Sequence, residues 1–396
     1  MDVAGRRQIV GQSPSPRVTR MCGLVLWALL ASCIGSRSAL LTVFDEDAPP
    51  QSPPANSKNT KTGAADLLPP DPAGGTFSGG ADGNLLSLRP TDPGLKVAFF
   101  GDQGLGGDAV KVLELIRDEG ADFVIHSGDF DYLNDPAAWE MQIDSVLGED
   151  YPYFVNVGNH DLPMWTGKGG YQERISQRIA RIKDAQCAGD FGVNSSCRYR
   201  GLFFVLSGVG TLGENHEDYL NAALDQDRSY FRVCTWHKNQ HDMQVGSKTD
   251  EVGWGAYQVC QKQGALIVTG HEHSYARTMN LTDVGNAASG HGATGNPASL
   301  LLEPGKTAVV VSGLGGESHR AFTSDHDADT WWASIYALDL QVKNGVTMGT
   351  EAVIESGALF IDFNVDGDPG HAHGYFKTIG QSVVDEFEID RANESQ

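Results

Sequence analysis

The 396-residue chain carries 51 Asp and Glu against 29 Lys and Arg, a formal net charge of −22, and no arginine-rich run offsets it. That balance disfavours binding to nucleic-acid phosphates or to anionic membrane. The length exceeds the ~100–200 residues of one typical domain, but the excess is gathered at the N-terminus.

Residues 1–39 read as an export signal. Arg6, Arg7, Arg17 and Arg20 precede an apolar run over 21–34, and small residues follow at Ser36, Ser38 and Ala39, so cleavage is expected near Ala39. The run is shorter than the ~20 residues of a transmembrane helix, so no stable span is expected after cleavage; a retained anchor is the alternative. The mature protein is therefore expected to be secreted or extracellular, with the periplasm or the cell surface as variants. Residues 40–94, rich in Pro, Gly, Ser, Ala and Asp and without periodicity, read as a disordered linker.

The folded domain is expected over 95–391. An apolar run over 96–100 ends in Gly101-Asp102-Gln103-Gly104, and Asp108 is expected to cap a helix with Val110, Leu113 and Ile116 on one face and Gly120 at its end. A second run over 123–126 leads into Gly128-Asp129-Phe130-Asp131-Tyr132. Helical periodicity over 136–147 supplies a crossover to a third run ending in Gly158-Asn159-His160-Asp161. This is a β-α-β unit with ligand-type residues at the strand carboxyl ends, where open α/β sheets place their sites. Tyr171, Ile175, Ile179 and Ile182 then recur at helical spacing and read as core.

The second half repeats the logic. Runs over 202–206, 231–236, 265–269 and 307–311 end in Ser207-Gly208, His237, Gly270-His271-Glu272-His273 and Ser312-Gly313. Segments 358–365 and 383–389 read as strands joined by a Gly/Asp/His turn region. Of six cysteines, Cys22 and Cys33 fall in the signal. Cys187 and Cys197 bracket a Gly/Asn/Ser-rich loop and are expected to pair in an exported protein. Cys234 and Cys260, in apolar segments, read as inert core thiols, a state the sequence leaves open. Sequons at Asn194, Asn280 and Asn393 would carry sugar only in a host that glycosylates.

One Asp or His at a strand end is ordinarily a turn residue. Asp102, Asp129, Tyr132, Asn159, His237, His271 and His273 come from five separate strand ends, and that recurrence points to a shared site. His271 and His273, two apart in an extended segment, project to one side while Glu272 projects to the other. Seven donors exceed one zinc and suit two ions; hard oxygens mixed with imidazoles favour iron, manganese or zinc over calcium. Two cations ~3.5–4 Å apart serve in-line attack on a phosphorus ester.

The set resembles the calcineurin-like metallophosphoesterase superfamily, and within it the purple acid phosphatase branch. Gly101-Asp102-Gln103-Gly104 matches G-D-x-G, 128–132 matches G-D-x-x-Y, 158–161 matches G-N-H-D/E, and 270–273 matches G-H-x-H, with His237 as the lone strand-end histidine. The resemblance implies an α/β four-layer fold: two packed mixed β-sheets flanked by helices, with a dinuclear metal site at the strand carboxyl ends. It implies that Asp129 bridges the ions, that Asp102, Tyr132 and His273 complete a ferric site, and that Asn159, His237 and His271 complete a second site for Fe2+, Mn2+ or Zn2+. Two departures stand out. The V-x-x-H motif is longer by one residue here, with only His241 in place of a further downstream histidine, and the linker leaves no room for the β-sandwich of plant members.

The implied activity is hydrolysis of small phosphate monoesters by a metal-bound hydroxide, with His160 as general acid and Asp161 orienting its ring. A phosphodiesterase acting on nucleotide or phospholipid head-group esters is the alternative enzyme, and a non-catalytic binding protein on the same scaffold is the alternative of another class. His216, His241, His319 and His326 are candidates for the mouth of the site; the oligomeric state is not legible.

Overall fold

The computed structural model describes residues 88–349 and 354–392. The signal, the linker as far as residue 87, Cys22, Cys33 and the Asn393 sequon lie outside the described residues. Among the described residues no helix is long and apolar enough to cross a membrane.

Strand β1 (Leu95–Phe100), helix α1 (Gly107–Asp118), β2 (Phe123–His126), α2 (Pro136–Val146) and β3 (Tyr153–Val155) form the expected parallel unit, β1 beside β2 beside β3. These strands are short apolar runs because both of their faces are covered. On the far side β1 pairs antiparallel with Gly357–Phe363, and the sheet continues through His371–Thr378 and Val383–Arg391 to Ser299–Leu302, seven strands in all.

Helix α3 (Tyr171–Arg181) leads to the hairpin of β4 (Gln186–Asp190) and β5 (Asn194–Tyr199). Next come β6 (Leu202–Ser207), α4 (His216–Gln226), β7 (Arg232–Thr235), α5 (Gly255–Gln263), β8 (Leu266–Thr269) and β9 (Tyr275–Thr278). β6, β7, β8 and Val309–Ser312 run parallel at the centre of a ten-stranded sheet that has β4 at one edge. Strand alternation divides its side chains between two cores. In β6, Phe204 and Leu206 join Phe99, Phe123 and Phe360 of the other sheet in one core, while Phe203 and Val205 join Tyr219 of α4 and Tyr257 of α5 in another. The result is the expected four layers, helix, sheet, sheet, helix.

Several local expectations change. Gly106, in extended backbone, is the N-cap of α1; Asp108 lies in the first turn instead, where it suits the helix dipole and pairs with Lys111. The buried face of α1 is Ala109, Val112, Leu113, Leu115 and Ile116, with Val110 only half-buried. The region read as a turn before 383 is largely the strand His371–Thr378, whose Gly374 leaves room for the Phe387 ring, 2.5 Å from where a Cβ would stand. Residues 88–94, read as the end of the linker, lie against the domain: Arg89 exchanges backbone hydrogen bonds with Arg228 and Tyr230, and the Asn364 amide donates to Thr91 O at 2.7 Å.

Cys187 and Cys197 stand opposite each other in the β4–β5 hairpin and form a disulfide, Cα–Cα 4.1 Å. Cys234 and Cys260 are not free thiols. Alternation in β7 turns Cys234 toward the helix layer, where it meets Cys260 on the buried face of α5 and bonds to it, Cα–Cα 6.5 Å.

Candidate metal centre

The strand ends of the two sheets are stitched by backbone. Gly101 N donates to Ser312 O at 2.9 Å across the two sheets, while bonds from Asp102 N to Gly128 O at 3.0 Å and from Gly270 N to His237 O at 3.2 Å tie neighbouring loops within each sheet, so the loops share one floor. A Cβ on Gly158 would lie 2.1 Å from Asp129 Oδ1, and one on Gly128 would lie 2.7 Å from Gly158 N. Glycine at both positions is what lets the two loops touch.

On this floor the seven candidate ligands gather in two groups. Tyr132 Oη lies 3.1 Å from Asp102 Oδ1 and 3.1 Å from His273 Nε2. His237 Nε2 lies 3.1 Å from Asp129 Oδ2, 3.1 Å from Asn159 Oδ1 and 3.1 Å from His271 Nδ1. Asp129, His237 and His271 form a buried cluster with the geometry to hold a metal ion. Four of the seven, Asp102, Asp129, Tyr132 and His271, have left-handed backbone, with φ between 59° and 69°. Non-glycine residues rarely accept that conformation, and its concentration here marks side chains aimed for function at a cost to the chain.

The remote ring nitrogens make the case for cations. His237 Nδ1 donates to Ser127 O at 2.8 Å and His271 Nε2 to a Glu251 oxygen at 2.7 Å, while His273 Nδ1 shares a hydrogen bond with the Ser318 hydroxyl at 2.6 Å. The Ser127 carbonyl and the Glu251 carboxylate can only accept, so they hold a proton on His237 Nδ1 and His271 Nε2 and turn the other nitrogen inward, while Ser318 orients the His273 ring without fixing its tautomer. His237 Nε2 and His271 Nδ1 then face each other across 3.1 Å with carboxylate and amide oxygens alongside, a donor set that fits a positive ion. Its appetite for charge shows in the titration of His237: burial works against the imidazolium, but Asp129 and Asp102 prevail and push it up to about 9. Burial likewise opposes ionisation of Asp129, and His237 outweighs it and lowers the carboxyl. His271 is depressed to about 4, chiefly by burial.

His160 donates its backbone N–H to Asp129 Oδ1 at 2.9 Å, and its ring lies against Tyr132, centroids 4.4 Å apart. Asp161 does not serve the imidazole as expected. Its oxygens accept from the backbone N–H groups of Asp129, Phe130 and Gly158 at 2.7–3.0 Å, so it clamps the two ligand loops together. Burial and the Asp129 charge push its carboxyl up to about 8, with those donors opposing.

Glu251 and Ser318 were invisible to sequence reading, because neither belongs to a ligand string and both reach the site from distant loops. His126 was passed over too: it is wholly buried, its Nδ1 accepts from Gly128 N at 3.1 Å, and burial drives it down to about 3. The four histidines considered for the mouth are engaged elsewhere. His216 contacts Asn194, His241 pairs with Asp242 and stacks on His326, His326 binds Asp329, and His319 contacts Ser356.

Residues 95–275 match the family model of the calcineurin-like phosphoesterases. That part of the chain is a calcineurin-like phosphoesterase domain. All five ligand strings fall inside the matched span. No curated protein sequence matches the chain. Among solved structures, the purple acid phosphatase of yellow lupin (Lupinus luteus) seeds superposes with a TM-score of 0.54 at 18% identity, over 77% of this chain and 55% of that one. GAP50, the anchor in the inner membrane complex of Plasmodium, gives 0.47 at 12%, over 77% and 91%, and PhoD gives 0.46 at 11%, over 74% and 67%. The chain thus spans 55% of the length of the lupin protein, and the likeness is one of fold.

Proposed function

We propose that this chain is an exported dinuclear-metal phosphatase acting on small phosphate monoesters. Asp102, Tyr132 and His273 would hold one ion, Asn159, His237 and His271 the other, and Asp129 both. The observation that carries the reading is the outer fixing of all three imidazoles, because the rings are oriented for ions and not for one another. The calcineurin-like domain and the purple acid phosphatase-like fold support it, and the two disulfides accord with export. A phenolate on the first site suits ferric iron, with Fe2+, Mn2+ or Zn2+ in the second.

Bound ions would supply Lewis acidity, lowering the pKa of water and neutralising phosphoryl oxygens. The chain does the rest. His160, outside the ligand set but resting on Tyr132, gives the leaving oxygen its proton. Asp161 ties the Asp129 and Gly158 loops together, so that ligands from both would face the same ions. Glu251 and Ser318 keep His271 and His273 turned inward.

Metal analysis combined with hydrolysis of nitrophenyl phosphate and its diester tests this. Two metals per chain and faster monoester cleavage are expected. Faster diester cleavage would move the assignment to a phosphodiesterase, and two bound metals without hydrolysis would leave a binding protein. A ferric site would colour the protein, and Tyr132→Phe would bleach it.

A further inference from the structure

His126 ends β2, three residues before Asp129, and no part of it reaches solvent. Its ring is packed among those of Phe100, Phe130 and Tyr153, with centroids 4.6, 5.2 and 5.9 Å away. Gly128 N donates to its Nδ1 at 3.1 Å, so Nδ1 holds a lone pair and the proton of the ring sits on Nε2. Burial keeps that ring neutral. The Nε2–H is itself buried and has no hydrogen-bond partner among the described residues. An unpaired buried donor destabilises a fold, and an apolar ring in its place would not. What His126 offers beyond a phenylalanine is therefore the acceptor Nδ1.

That atom acts on a peptide, and the peptide acts on a candidate ligand. The N–H that His126 accepts and the carbonyl to which His237 Nδ1 donates at 2.8 Å are the two ends of one peptide unit, Ser127–Gly128. Because the unit is planar, holding one end orients the other. The bonds run head to tail, from His237 Nδ1–H to Ser127 O and from Gly128 N–H to His126 Nδ1. Each polarises the other, and burial keeps solvent from competing. The same unit opens the turn into Asp129. Gly128 and Asp129 both have left-handed backbone, φ 92° and 59°, and Gly128 O accepts from Asp102 N at 3.0 Å. A conformation that Asp rarely adopts persists only where its surroundings impose it.

We infer that His126 is a positioning residue for the candidate metal centre: through the Ser127–Gly128 peptide it turns His237 Nε2 inward and sets the start of the Asp129 turn. The inference rests on His237 and Asp129 holding ions, as in the proposed function, and not on which ester is cleaved. A purely structural role would tie metal affinity to stability. Positioning through one acceptor atom separates the two.

The test compares His126→Phe, which keeps an aromatic ring and removes the acceptor, with His126→Asn, whose Oδ1 stands where Nδ1 stood but which leaves part of the ring volume empty. Zn2+ affinity is read by competition with a chelator, and stability by thermal unfolding of the metal-free protein. His126→Phe should weaken Zn2+ binding by ~10–100-fold, the usual effect of losing an outer partner of a ligating histidine. His126→Asn should recover most of that loss. Stability should rank the other way, because the Asn variant sets a cavity and an amide among aromatic rings and should melt below the Phe variant. Wild-type Zn2+ affinity in His126→Phe, or affinity that follows melting temperature across the pair, overturns the inference. So does NMR of the ring nitrogens in the unaltered protein that finds the His126 proton on Nδ1, a readout that needs neither variant to fold. Failure of the phosphatase reading looks different: Zn2+ binds and responds to the variants as expected, yet no phosphate ester is cleaved. A chain that binds no Zn2+ overturns both.

Discussion

Two buried polar clusters among the described residues are closed in opposite ways. Between the sheets, Arg277 of β9 and Asp385 of Val383–Arg391 are both fully buried. The guanidinium bonds the carboxylate at 2.6 and 3.0 Å, and Tyr275 and Ser334 add hydroxyl donors at 2.7 and 2.6 Å. The Arg277 guanidinium also lies over the Phe387 ring at 4.0 Å. Here the chain supplies the cation. At the strand ends two carboxylates, a phenol, an amide and three inward imidazole nitrogens converge, and among the described residues no Arg or Lys is bonded to them, a donor set that fits a cation. The same burial of charge makes a lock in one place and a candidate metal centre in the other.

The sharpest way to break the comparison is to remove one carboxylate from each cluster. Asp129→Asn should lose both metals and all measurable hydrolysis, on aryl and alkyl phosphates alike, while thermal unfolding of the metal-free protein changes little. Asp385→Ala should keep both metals in elemental analysis but lose ~3–5 kcal/mol of stability in denaturant titration, because it strands a buried guanidinium. That contribution has a pH signature. Burial opposes ionisation of Asp385, but Arg277 lowers its folded pKa below the ordinary carboxylate value. The stabilisation is therefore present above the unfolded pKa of ~3.9 and is lost as pH falls through the folded value. The stability gap between wild type and Asp385→Asn should narrow only below about pH 4.

Smaller effects sharpen the contrast inside the strand-end cluster. His160→Ala should retain both metals yet lose ~10²–10⁴-fold in turnover of an alkyl phosphate, and far less with a nitrophenyl ester, which departs without a proton. Equal losses on both substrates would assign His160 to phosphate binding instead. Glu251→Gln keeps a side chain in reach of His271 Nε2 but removes the charge, and should weaken the second metal by ~10–100-fold in a competition titration, with little change in melting temperature. Burial opposes ionisation of Glu251, but His271 and Lys238 outweigh it and hold it down to about 2, so the carboxylate stays charged through any ordinary assay pH.

The parts of this molecule that sequence reasoning reached are the ones written as contiguous strings. A short apolar run followed by Gly-Asp, Gly-Asn-His or Gly-His-x-His states a strand, its end and its donors within a few residues, so the parallel strands of both sheets and the order of the ligand loops were legible. The antiparallel strand His371–Thr378 was not, because its Gly and His residues are turn formers by composition and become strand only where Phe387 and the neighbouring strands cover them. In α1 the capping role passed from Asp108 to Gly106, a change of register too local for periodicity to resolve.

By itself, then, the sequence determined the fold class, the calcineurin-like strings and which residues could donate to metal, because strand ends and their turns are set by neighbours along the chain. Tertiary structure alone decided that Glu251 and Ser318 orient the histidines, that Asp161 ties two loops and leaves the imidazole alone, that Cys234 finds Cys260, and that Arg277 finds Asp385 108 residues away. Each of these pairings joins segments with no local preference for one another. They exist because two sheets, closing over a shared apolar core, leave buried polar groups that can be satisfied only by whatever the opposite layer brings.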